Sequence, residues 1–177
     1  MVGSTWYGVV VVAAAALVPA AGVAIALARR RARRGAAHPW RWSFAEVGLV
    51  VGTAPWLWMI LTPRGSGRSV EAVPLVGLYA QLTGDPAVAV EQIGGNLLVF
   101  AAFGFCAPLR WDLRLPLVAA LACAGSITVE LLQYGLAIGR VTSVDDVLLN
   151  TLGATAAALG VALMQLLSKR RQARAVA

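Results

Sequence analysis

The sequence predicts an all-α, polytopic membrane protein with five transmembrane helices, the N-terminus outside and the C-terminus inside. Two observations carry this. The 177 residues are 59% hydrophobic with a mean hydropathy of +0.76, whereas soluble domains run about 45–50% apolar. The fifteen Lys and Arg residues are also divided unevenly among the gaps between five long apolar runs: 7–28, 45–61, 93–109, 115–138 and 144–168. Each run approaches or exceeds the roughly 20 residues that cover about 30 Å of hydrocarbon.

Taken in order, the first run ends at Arg29, Arg30, Arg31, Arg33 and Arg34. Its charge follows the apolar stretch, and the stretch is too long for the core of a secretory signal, so it is expected to be retained. If that arginine cluster is cytoplasmic, Arg41, Arg110, Arg114, Lys169, Arg170, Arg171 and Arg174 fall on the same side. Only Arg64, Arg68 and Arg140 are outside. The positive-inside rule produces this asymmetry. The loop after the second run carries a flexible basic piece, Arg64-Gly65-Ser66-Gly67-Arg68, and then an apolar stretch 70–82 containing Pro74. That stretch is too short to cross and reads as an interfacial or re-entrant segment. Thr83-Gly84-Asp85-Pro86 is a turn. Trp40, Trp42, Trp56 and Trp58 read as interfacial anchors. The chain divides into an N-terminal helix with its basic loop (1–44), a helical bundle (45–168) and a basic tail (169–177).

Composition excludes several classes of function. The net charge of +7 lies in juxtamembrane clusters, which signal topology and attract anionic headgroups. Nothing beside them could read a base, so nucleic acid is not expected as a partner. Cys106 and Cys123 fall inside spans and read as small hydrophobes. His38 has no Cys or His nearby at ligand spacing. Neither a metal nor a cofactor is expected, and the sequence does not set the oligomeric state.

Ionisable groups inside a membrane are costly and mark function, so their depth matters. Asn96 is about one turn into the third span, below Glu91 and Gln92. Glu130 is about 20 Å up the fourth span at 1.5 Å per residue, and Gln133 follows on the same face. Asp145 and Asp146 open the fifth span, with Ser143 as N-cap and Asn150 one turn below. Arg140 is in the turn between the last two spans. All lie within roughly 10 Å of the outer interface. Glu130 and Asp146 flank Arg140, and the three are expected to form one coupled network. Small residues, Gly153 with Ala157 or Ala156 with Gly160, are expected to pack the last helix.

At these residues the chain resembles the VanZ-like family of bacterial membrane proteins, over roughly residues 56–165. Three blocks carry the resemblance. The first is Asn96-Leu97-Leu98-Val99-Phe100 with Phe103-Gly104-Phe105 and Pro108. The second is Ser126 with Glu130-Leu131-Leu132-Gln133. The third is Gly139-Arg140 with Asp145-Asp146-Val147-Leu148-Leu149-Asn150-Thr151-Leu152-Gly153-Ala154. Ser143 stands where many members carry an acid. Val73-Pro74-Leu75 resembles a short Pro-containing motif in the family's external loop. The resemblance implies a role in the cell envelope of a bacterial plasma membrane, because the family is named for a determinant of resistance to teicoplanin, a lipoglycopeptide. It implies no settled reaction.

Three classes of function are open at this point. One is an outward-facing polar pocket that binds membrane lipids, a lipid-linked envelope precursor or another amphiphile through Asn96, Glu130, Gln133, Arg140, Asp145, Asp146 and Asn150. Another is a membrane-embedded enzyme acting on a lipid, with Glu130 or Asp146 as general base. The last is a structural protein or transporter, in which the same layer holds the helices in register.

Overall fold

In lipid, backbone N–H and C=O groups must be satisfied within the chain, so apolar runs of this length become helices. A computed structural model describes residues 6–176; the ends of the expected N-terminal segment and tail, residues 1–5 and 177, lie outside them. The elements run α1 Trp6–Arg33, α2 Pro39–Leu61, β1 Gly67–Glu71, α3 Val76–Thr83, α4 Pro86–Val99, α5 Ala101–Trp111, α6 Leu115–Leu136, β2 Ile138–Ser143 and α7 Val144–Val176. Among the described residues, five stretches are long and apolar enough to cross a membrane: α1, α2, α4 with α5, α6 and α7.

Two expectations need correction. The chain is not all-α: β1 and β2 pair in parallel, Gly67 opposite Ile138 and Glu71 opposite Ser143, with an irregularity between Gly67 and Ser69. The stretch 70–82, expected as an interfacial or re-entrant segment, holds the end of β1 and most of the short helix α3. A Pro-containing segment too short to cross gains more by pairing its backbone with β2 than by leaving it bare. The third span is also interrupted. Phe100 leaves helical geometry (φ −108, ψ 5) and ends α4, and α5 restarts at Ala101.

The bundle is held by small residues at close crossings, as membrane helices require. A Cβ at Gly153 of α7 would fall on the Leu97 carbonyl of α4, and one at Gly104 of α5 on the Ala154 carbonyl. Gly153, Ala154, Ala158 and Val161 form the buried face of α7. Gly160, expected in the packing stripe, meets nothing within 4 Å. Met59, Ile60, Val99 and Val129 make a buried apolar cluster just beneath one end of the bundle. α1 packs chiefly on α2 at the periphery.

The two ends differ. At the arginine end, Arg31 of α1 and Arg110 of α5 both donate to Glu46 of α2. Arg31 also donates to Ser43 at 3.1 Å, and Arg110 lies over the Trp42 ring at 5.0 Å. Trp42 is thus a cation–π partner as well as an expected anchor. The loop end holds β1, α3 and β2.

Candidate functional site

Helix ends leave orphan backbone groups, and at the loop end side chains satisfy them. The last carbonyls of α2 are the clearest case. Arg140 Nη2 donates to Met59 O at 2.6 Å, and its Nε to Thr62 O at 3.4 Å. Gln133 Nε2 donates to Ile60 O at 2.9 Å. A guanidinium there also suits the negative end of the helix dipole. α6 ends on Ala137 in the left-handed region, and Arg68 of β1 donates from Nε to Tyr134 O at 3.0 Å. Gly139 (φ +69) then turns the chain into β2, where a Cβ would meet the Gly65 backbone.

α7 opens as its sequence predicts: the Asp145 N–H donates to Ser143 Oγ at 3.2 Å. Its two aspartates then diverge. Asp145, 2% exposed, accepts from Leu75 N at 2.6 Å and Leu78 N at 2.8 Å. It supplies α3 with the N-terminal cap that Leu75, itself left-handed (φ 68), lacks. Asp146 turns the other way and accepts from Asn96 Nδ2 at 2.5 Å. Glu130, 5% exposed, accepts from Ser143 N at 2.9 Å. Asn150 Nδ2 donates to Ser126 Oγ at 2.8 Å.

These side chains border a cavity of about 670 Å³ between α2, α3, α4, α6, β2 and α7. Six of the seven residues expected in the site line it: Asn96, Glu130, Gln133, Arg140, Asp146 and Asn150. Asp145 is not in its lining; both its oxygens hold α3. Glu130, Arg140 and Asp146, expected as one coupled network, act on one another through space, but neither acid forms a direct ion pair with Arg140; ion pairs elsewhere include Arg31 and Arg110 with Glu46 and Arg41 with Asp112. Arg140 is drawn instead to the C-terminal carbonyls of α2, where it adds a charged donor to Met59 O, which also accepts from Thr62 N. Burial, and then the neighbouring Arg64, push the Arg140 guanidinium down to about 10, while Asp146 and Glu130 pull the other way.

Sequence reasoning missed Glu71 and Gln81, which also line the cavity. Glu71 is in β1, and only the parallel pairing with β2 brings it there; no spacing in the sequence signals that. Ser126 was read in the sequence only as part of a motif, yet it is fully buried and is the partner of Asn150. Their spacing of 24 residues spans two antiparallel helices and gives no periodic clue. Among the described residues, no three His, Cys, Asp or Glu side chains converge as a metal site requires.

The molecule is a multi-pass helical membrane protein with a polar cavity at one end of its bundle. Residues 42–166 match the family model described as VanZ/LLP1, and the chain belongs to that family. The match takes in almost all of α2 and leaves out α1 with its arginine cluster. No curated protein and no solved structure matches the chain.

Proposed function

We propose that this VanZ-family protein sits in the bacterial plasma membrane with its loop end outside, and that the cavity there binds the headgroup of a lipid-linked or amphiphilic envelope molecule. Such binding would contribute to resistance to lipoglycopeptides of the teicoplanin type. One observation carries the reading. Polar side chains from α4, α6, β2 and α7 border a single cavity at the loop end of the bundle, where most of the buried polar side chains collect. Helix registration alone does not require a cavity; small-residue crossings at Gly104 and Gly153 already supply it. A cavity of this volume lies within the range that holds small ligands. Arg140 keeps Nη1 for an anionic oxygen, since its bonds to the protein use Nε and Nη2.

The test is a comparison of amide variants in cells. Asn96→Ala and Asn150→Ala are expected to abolish the lipoglycopeptide phenotype while the protein stays folded in the membrane. Asn150→Ala loses one neutral side-chain hydrogen bond, about 1 kcal/mol of stability, and Asn96→Ala one to a carboxylate, about 1.5–3 kcal/mol. Thr128 is exposed on α6 and bonds only its own helix, at Ala124 O, so Thr128→Ala is expected to be silent. Full phenotype in both Asn variants would make the layer structural.

A further inference from the structure

The proposed function leaves the headgroup's chemistry open, and the orientation of the amides around the cavity narrows it. Gln133 approaches a carbonyl and Asn96 a carboxylate. Neither partner is a donor to an amide oxygen, so both side chains must present nitrogen to the protein. Asn150 places its nitrogen on the Ser126 hydroxyl, a group that can also donate. Its Oδ1 is wholly buried, in a residue 1% exposed, and has no partner. An orphan acceptor at such a place costs about 1–3 kcal/mol unless something donates to it. Glu130 and Asp146 show the same bias, each with one oxygen bonded by a neutral N–H: Glu130 Oε2 by Ser143 and Asp146 Oδ1 by Asn96.

Formal charge points the same way. Five carboxylates line the cavity, from Glu71, Asp85, Glu91, Glu130 and Asp146, against two guanidiniums, Arg64 and Arg140. Two of the Arg140 nitrogens are already committed to carbonyls. An anion alone would enter an excess of negative charge and find more acceptors than donors.

Resting on the reading that the cavity takes an amphiphile's headgroup, the geometry points to a headgroup with a protonated primary amine next to a phosphate. The ammonium donates to the amide and carboxylate oxygens around Asn150, Asn96 and Asp146, and the phosphate takes Arg140 Nη1. A compact –NH3⁺ has three donors and one charge, which matches orphan acceptors beside carboxylates. A quaternary ammonium has the charge but no N–H, and a glycerol headgroup has donors but no positive charge.

The experiment is lipid binding to the purified full-length chain in detergent by native mass spectrometry. Phosphatidylethanolamine, phosphatidylcholine and phosphatidylglycerol of identical acyl chains are compared, with free O-phosphoethanolamine as competitor. Phosphatidylethanolamine is expected to bind about tenfold or more tightly than the other two, since each lacks at least one charge-assisted hydrogen bond. Asn150→Ala and Asp146→Asn should remove that preference, whereas Asn150→Asp, which keeps an acceptor at the same place, should retain it. Displacement by O-phosphoethanolamine at similar concentration would assign the site to a soluble phosphoamine, and lack of displacement to the lipid; the amine holds in both. Equal or tighter binding of phosphatidylglycerol overturns the amine while leaving an amphiphile site standing. Absence of binding by all three lipids overturns the phosphoamine headgroup, and the amphiphile reading then stands or falls with the amide variants in cells. Unchanged preference in a folded Asn150→Ala or Asp146→Asn protein overturns the assignment of the ammonium to this part of the cavity.

Discussion

The two ends of the bundle use the same residue types to opposite effect. At the arginine end, Glu46 is bonded on both oxygens by guanidiniums of two other helices, Arg31 and Arg110. Its bonding is complete, and the result ties α1, α2 and α5 together. At the loop end, acids meet neutral donors and Arg140 meets carbonyls. Each then keeps an atom unspent beside the cavity. The contrast teaches that charge in a membrane protein does not by itself mark a site. A cluster that closes all its own valences is a joint; one that leaves acceptors open around a void has atoms to spare for a ligand.

The largest effect is all or none. A Cys at Ser66, in the loop end, is expected to react with an impermeant reagent on intact cells, and a Cys at Ala36, beside the arginine cluster, is not. The reverse labelling would put the cavity on the cytoplasmic side. Next comes the lid. Asp145→Ala leaves the N–H groups of Leu75 and Leu78 without their charged acceptor and is expected to cost about 3–4 kcal/mol of thermal stability in detergent. Asp145→Asn should cost less than half of that, because one amide oxygen still accepts. A loss below about 1 kcal/mol in Asp145→Ala would mean that α3 is not held by this carboxylate.

Smaller again is the joint. Arg31 and Glu46 are about a quarter exposed, 25% and 28%, and water screens what remains when one is removed. Glu46→Ala should cost about 1–2 kcal/mol, lessen with salt, and leave the envelope phenotype intact. If the phenotype disappears from a folded Glu46→Ala protein, the division into joint and site fails. The smallest expected quantity is a coupling. Arg140 and Glu130 hold different backbone groups and act on each other only through space, so the stability losses in Arg140→Ala and Glu130→Ala should couple by less than about 1 kcal/mol. Rescue of one by the other would restore the direct ion network that the sequence suggests.

Much of the site was legible because depth in a membrane is a one-dimensional quantity. Counting residues from each span's end put Asn96, Glu130, Gln133, Asp146 and Asn150 in one layer, and the cavity gathers all five. The N-cap at Ser143 was legible too, since it is set by its own neighbours. Direction around the helix axis was not. Asp145 and Asp146 are adjacent in sequence and about 100° apart on the helix, and only the packing decides that one holds α3 while the other faces the cavity. Ser126 and Thr128 are two residues apart on α6, yet packing buries the first against Asn150 and exposes the second.

By itself, then, the sequence determined that five helices can cross a membrane, that a polar layer collects at one end of three of them, and which family the motifs belong to. Hydropathy, charge and short motifs are local sums, and each can be taken along the chain without knowing what lies beside it. The parallel pairing of β1 with β2, the capping of α2 by Arg140 and Gln133, the break at Phe100 and the outlook of each amide were decided by tertiary structure. These depend on which orphan carbonyl or N–H lies within about 3 Å of a side chain. Residues 70 or 80 positions apart meet at that distance only once the helices have packed.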